Sequence, residues 1–183
     1  LHWPRPERLG AARRSLTIAT VGISMAAGRS ATAGPVDAVL ILAGGTGERL
    51  GGVSKPDYVV AGRRLLDWLL VEIERVVDAR RIIVIGPDDL DVPAGVELTL
   101  EDPPLGGPLA GLGAGAGLLT DLPDTAVVAL ATCDAPISVR LWPKLKARLA
   151  QDPDLDGVAP KTLTPKVRLQ YLHGIFRLGA LKK

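Results

Sequence analysis

The sequence predicts an α/β protein: a three-layer α/β/α sandwich around a mostly parallel sheet. Two observations predict it. Short, near-continuous apolar runs alternate with longer segments of helical period, the order that builds parallel strands with crossover helices. The first apolar run also feeds directly into a glycine-rich stretch, which places a ligand-binding turn outside the carboxyl end of a strand. The 183 residues suit one domain with a substantial core.

The elements follow in order. Residues 37–43, DAVLILA, form a run rich in Val, Ile and Leu, as expected of a strand covered on both faces. Residues 64–78 carry Leu65, Leu66, Leu69, Leu70, Ile73, Val76 and Val77 at helical spacing. Residues 80–86, RRIIVIG, read as a second buried strand, and 96–101 as a short third. Residues 107–119, GPLAGLGAGAGLL, read as a helix whose small residues allow close approach to the sheet, with Pro108 near its start. Residues 126–134, AVVALATCD, are a further strong strand. Residues 139–150 read as a helix that Pro143 limits or kinks. Residues 156–160 and 169–177 read as the last strands.

Composition excludes several classes. No apolar run approaches the roughly 18 residues that a membrane-spanning helix needs. Cys133 is the single cysteine, which excludes an internal disulfide framework and a cysteine-based zinc site, and favours a reducing cytoplasm. The net charge of +2 hides an asymmetry: residues 1–34 hold Arg5, Arg8, Arg13, Arg14 and Arg29 against Glu7 alone. The rest of the chain is slightly acidic, so a basic nucleic-acid binder is not expected.

Residues 1–34 can be parsed as an export signal, with Arg13-Arg14, an apolar run and small residues behind it. The first residue is Leu and the one methionine is Met25. The reading adopted is a disordered tail or translated upstream sequence, with 35–183 as a single domain.

The chemistry is concentrated in residues 40–57, LILAGGTGERLGGVSKPD. Glycines expose backbone N–H groups and let a phosphate come close. Arg49 can grip phosphate oxygens bidentately, and Lys55 adds a mobile point charge. The loop is neither of the two commoner phosphate motifs. In the G-x-G-x-x-G register the third position is Leu50, and no register gives G-x-x-x-x-G-K-[ST]. Asp134 follows a buried strand directly, where a lone carboxylate beside a phosphate loop suits Mg²⁺; the competing reading is a helix cap, for which Ser138 is the better candidate. Cys133 reads as packing, and His173 as a core or edge histidine.

Residues 42–55, LAGGTGERLGGVSK, match the pattern L-A-G-G-x-x-x-R-x-G-G-x-x-K, and GGPLAGL (106–112) and CDAP (133–136) follow in order. In these motifs the chain resembles the molybdenum cofactor guanylyltransferase-like nucleotidyltransferases, over about residues 36–177. The resemblance implies a Rossmann-like fold of the nucleotide-diphospho-sugar transferase type. It implies that Leu42, Ala43, Gly44, Gly45 and Asp102 contact the nucleotide. Arg49 and Lys55 would neutralise the triphosphate, and Asp134 would bind both nucleotide and Mg²⁺ as the metal ligand. The implied reaction moves GMP from GTP to the phosphate of molybdopterin, with release of pyrophosphate. The implied partners are these substrates, with no nucleic acid or membrane, and with a homo-oligomer or contact with cofactor-pathway proteins left open.

The chain departs from the pattern in three places, one being the Asp57-Tyr58 pair, more polar than the short apolar run expected after Lys55-Pro56. The loop GPDDLDVP (86–93) has no asparagine where some members hold the base, so a cytidylyl or sugar-1-phosphate transferase stays open as an alternative. Members also continue beyond the strand matching 170–177 into a helix and a further acidic or amide segment. This sequence ends at LGALKK, so a C-terminally short domain is expected, with apolar surface exposed near Leu169, and a non-catalytic nucleotide-binding module stays open too.

Overall fold

A computed structural model describes residues 17–22, 33–44, 54–102, 106–162 and 168–183. The strands are β1 (Ile18–Gly22), β2 (Ala33–Val36), β3 (Ala38–Leu42), β4 (Val59–Val60), β5 (Arg63–Arg64), β6 (Val77–Ala79), β7 (Ile82–Ile85), β8 (Glu97–Thr99), β9 (Val127–Thr132), β10 (Gly157–Lys161) and β11 (Ile175–Arg177). The helices are α1 (Leu65–Val76), α2 (Pro108–Gly117), α3 (Trp142–Ala150) and the short α4 (Leu178–Leu181). A seven-stranded sheet runs in the order β1-β10-β11-β9-β3-β7-β8. All its pairings are parallel except those of β11, which is antiparallel to both neighbours.

The three-layer sandwich follows from period-2 alternation along the central strands. Val39 and Ile41 of β3, with Ala43 beyond it, pack on one face with Ala129 and Ala131 of β9, Leu66, Leu69 and Ile73 of α1 and Leu145 and Leu149 of α3. Ala38 and Leu40 face the other way, with Ile83, Ile85, Val128, Leu130 and residues of α2 and α4. Each buried Leu or Ile contributes about 1.5–3 kcal/mol relative to exposure.

Local chemistry sets the ends. Asp37, just before β3, ties the strand start to β9: its carboxylate accepts the Val127 backbone N–H at 2.8 Å and its own N–H donates to the Val127 carbonyl at 2.9 Å. The β4–β5 hairpin turns through Ala61 and Gly62 with φ of 50° and 78°, a positive-φ pair whose backbone twist suits a tight hairpin. Gly107, at φ 89°, precedes Pro108 at the first turn of α2, so the chain enters that helix without an orphan N–H at Pro108. Pro143 sits in the first turn of α3 in the same way; it starts the helix instead of kinking it. The stretch from 136 to 141 before it is a 3-10 turn, not the front of one continuous helix.

Two other expectations are corrected. Residues 1–34 do not stand wholly outside the fold: β1 is an edge strand on β10, and β2 pairs with β6 in a separate two-stranded sheet. Asp156 fastens β1, its carboxylate accepting from the Thr17 N–H at 2.8 Å while its own N–H donates to the Thr17 carbonyl. The strand expected over 169–177 is shorter. Residues 171–173 form a 3-10 turn, Leu169 makes a single bridge to Lys161, and only Ile175–Arg177 enters the sheet. Ile175, Phe176 and Leu178 are buried, so the sheet end of this segment is interior, while Leu169 and Leu172 are half-buried and Tyr171 is exposed.

Candidate active site

The carboxyl ends of β3, β7 and β9 converge on a cleft of about 730 Å³. Leu42, Ala43 and Gly44 form its floor at the end of β3. They are pinned from both sides: the Ala43 N–H donates to the Ile85 carbonyl at 2.8 Å, and the Leu42 carbonyl accepts from the Cys133 N–H at 3.4 Å. Thr132, Cys133 and Asp134 bring in the end of β9. Pro87, Asp88, Leu100 and Glu101 close the side over β7 and β8, and Gly107, Pro108 and Gly111 present the start of α2.

The cleft reaches the α2 backbone because Gly111 lacks a side chain. A Cβ there would lie 3.0 Å from Leu42 Cδ2, 3.2 Å from Ile85 Cγ2 and 3.7 Å from Glu101 Oε2. Gly115, one turn on, seats the same helix on the sheet, where a Cβ would lie 2.9 Å from Ile85 Cδ1.

Lys55 sits in a turn closed by the Asp57 and Tyr58 N–H groups, which donate to the carbonyls of Ser54 and Lys55. The chain then enters the hairpin and α1, and Arg64 ties these together by donating to Asp57 and Asp67. Lys55 Nζ lies 3.5 Å from Asp134 Oδ2. Both side chains are substantially exposed, 41% and 55%, so the pair adds only about 0.2–1 kcal/mol to stability and is open to a ligand.

The other oxygen of Asp134, Oδ1, accepts from the Thr132 hydroxyl at 2.6 Å. Burial works to raise the Asp134 carboxyl, but the Thr132 hydroxyl and the Lys55 ammonium outweigh it and hold it below the usual carboxylate range. Asp134 is not a helix cap; the residue capping the next turn is Ala135, with no side-chain bond. Nor does Ser138 cap: its hydroxyl pairs with His173 Nδ1 at 3.1 Å. His173 is shifted down by burial, with the Asp134 carboxylate pulling the other way. Cys133 packs in the core, and burial together with Asp134 raises its thiol to about 12, so it is no nucleophile.

The structure therefore brings together Leu42, Ala43, Gly44, Lys55 and Asp134 of the sequence-predicted residues. Asp102 is exposed beside the cleft, and its neighbour Glu101 lines it. Gly45 and Arg49 lie outside the described residues. Sequence reasoning passed over Thr132, Asp88 and Glu101. The hydroxyl two residues before Asp134 is the one local signal that could have been read. Among the described residues no three His, Cys, Asp or Glu side chains cluster as a metal cage. No helix among the described residues is long and apolar enough to cross a membrane.

Comparison with known proteins agrees with the fold. Molybdopterin-guanine dinucleotide biosynthesis protein A from Archaeoglobus fulgidus superposes with a TM-score of 0.56 at 19% identity, over 79% of this chain and 69% of that one. The 2-C-methyl-D-erythritol 4-phosphate cytidylyltransferase of Francisella tularensis gives 0.60 at 16% identity, over 80% and 75%. The enzyme of that name from Thermus thermophilus gives 0.50 at 23%, over 78% and 71%. At these identities the likeness is one of fold. A search of curated proteins found no match. The sequence pattern of the MobA-like NTP transferase domain matches residues 39–177, from the first central strand through the cleft to β11. With that span covered, the chain belongs to the MobA-like NTP transferase family, a family of nucleotidyltransferases.

Proposed function

We propose that the chain is an Mg²⁺-dependent guanylyltransferase that moves GMP from GTP to the phosphate of molybdopterin. The observation that carries this reading is the facing of Lys55 and Asp134 across the cleft, at the end of the strand that feeds the glycine loop. The ammonium meets the triphosphate, and the carboxylate, held ionised by Thr132 and Lys55, is the group that would hold Mg²⁺. Bound there, the metal would offset charge on the phosphates.

The rest is positioning. An oxygen of the acceptor phosphate forms a bond to the α-phosphorus of GTP. The bond from that phosphorus to the bridging oxygen breaks, and its electron pair leaves with pyrophosphate. The attacking oxygen is already anionic, so no general base is required. Lys55, with Arg49 assigned from the sequence, favours the charge gathered on the leaving group.

GTP is preferred over CTP because Asp88 and Glu101 line the side of the cleft over β7 and β8. Carboxylates only accept hydrogen bonds. Guanine offers adjacent N1–H and N2–H donors, whereas cytosine offers its N4 amino group alone. The cytoplasm is the compartment that supplies these substrates.

The test is pyrophosphate release from each nucleoside triphosphate with a molybdopterin acceptor and Mg²⁺. Release with GTP, lost in Lys55→Ala while the fold is retained, supports the reading. Release with CTP and a sugar-alcohol phosphate would replace it with a cytidylyltransferase. Nucleotide binding without release on any acceptor would replace it with a binding module.

A further inference from the structure

Glu72 is the one charged side chain fully buried among the described residues, at 4% exposure. It lies on the inner face of α1 between Leu69 and Ile73, where an apolar residue would complete the helix stripe. Its carboxylate takes a forked pair from Arg140, Nε to Oε2 at 2.6 Å and Nη2 to Oε1 at 3.0 Å. Arg75, one turn along the same helix, adds a bond at 2.9 Å.

Arg140 belongs to the 3-10 turn that starts at Pro136, two residues after Asp134. Glu72 belongs to the helix that follows the Lys55 turn and its hairpin. The pair thus joins the two chain segments that carry the two site residues. The far flank of the same turn is held by Ser138 against His173, and its centre by buried Val139.

Apolar residues could fill this space without desolvating ions. What a forked ion pair adds is direction: two parallel bonds fix the register of one segment on the other. We infer that Glu72 and Arg140 are positioning residues, a clamp that holds the Asp134 turn at its working distance from Lys55. The inference rests on the proposed role of Asp134 for its functional meaning, but its structural part stands apart from it.

Cys133, next to Asp134, is buried and is the only cysteine of the chain, so its alkylation reports opening of this turn. The experiment compares the full-length protein with Glu72→Gln, Arg140→Gln, Arg75→Gln and the apolar double variant Glu72→Leu/Arg140→Leu. Each is assayed for Tm, for iodoacetamide labelling of Cys133, and for the Tm rise given by GTP with Mg²⁺. Expected are a rise of about tenfold or more in labelling rate for Glu72→Gln and Arg140→Gln, the scale of losing a charge-assisted bond that opposes local opening.

Arg75→Gln, which leaves the cross-segment fork intact, should label like the parent. The double variant should recover Tm yet still label fast and respond weakly to GTP and Mg²⁺. Recovery of Cys133 protection in step with Tm would overturn the inference and leave the pair a structural one. Parent protein that does not respond to nucleotide would count against the proposed function alone, because the labelling comparison still decides the clamp.

Discussion

Helix α2 offers a test in which two nearly identical substitutions should differ in sign. Gly113 and Gly115 are two residues apart and both helical. A Cβ at Gly113 meets nothing within 4 Å. Replacing it with Ala should stabilise the protein by about 0.8–1 kcal/mol, the helix-propensity difference. A Cβ at Gly115 would lie 2.9 Å from Ile85 Cδ1 and 3.1 Å from Leu40 Cδ2, both inside the core. Ala there gains the same propensity but overpacks the helix–sheet contact, at a cost of about 1–3 kcal/mol.

The propensity gain cancels between the two, so their difference isolates the packing term, about 1–3 kcal/mol. Urea melts of both variants measure it through the midpoint at constant m. In thermal terms the gap is about 2–4 °C per kcal/mol for a chain of this size. Gly111→Ala should lose stability for the same reason and also weaken nucleotide binding, since its methyl enters the cleft toward Glu101. Gly115→Ala equal to or more stable than Gly113→Ala would refute the seating of α2 on this face, and with it the shape of the cleft.

Three further outcomes follow from the same structure. Asp134→Asn removes the ionised carboxylate but keeps the bond from Thr132, so the fold should survive while Mg²⁺ ceases to enhance nucleotide binding; calorimetric titration with and without Mg²⁺ reads this directly. His173 has a folded value below its ordinary 6.5, so the unfolded chain binds its proton more readily. Its contribution to stability is present above that ordinary value and is lost as pH falls below it, and His173→Gln should flatten urea-melt stability between about pH 7 and pH 5. Finally, Gly157→Ala would drive a methyl into the Phe176 ring where β10 meets β11, a loss of about 1–3 kcal/mol that Gly157→Ala/Phe176→Leu should partly restore in thermal melts.

The central sheet was readable because its strands are covered on both faces. Val39, Leu40 and Ile41 are all buried, and an apolar run with no polar interruption cannot belong to a strand with one face in water. The Lys55–Asp134 meeting was legible in outline from the α/β pattern, which sets both loops at the carboxyl ends of strands, and the motif resemblance sharpened it; no local pattern pairs two residues so far apart in sequence. What escaped has physical reasons. The β1 segment lies in an apolar run that also fits an export-like tail, and what fixes it in the sheet is its pairing with β10 and the long-range bonds between Thr17 and Asp156. The 3-10 turn at Tyr171–His173 interrupts what looks like one strand because the chain must bring Leu172 to the cleft before Ile175 enters the sheet between β9 and β10. Glu72 is an ordinary surface residue by composition, and its burial is made tolerable by Arg75 on the same helix together with Arg140, 68 positions later, which no local pattern reveals.

The most direct test of the account is the thermal shift of the full chain with GTP, CTP, ATP and UTP, each with and without Mg²⁺. Ligand at about 100 times its Kd should stabilise the protein by about 2.7 kcal/mol, a shift of several degrees. That shift is expected for GTP, with dependence on Mg²⁺ and loss in both Lys55→Ala and Asp134→Asn. A folded protein that shifts with no nucleotide, or that binds GTP equally well without Mg²⁺ and without Asp134, would contradict it.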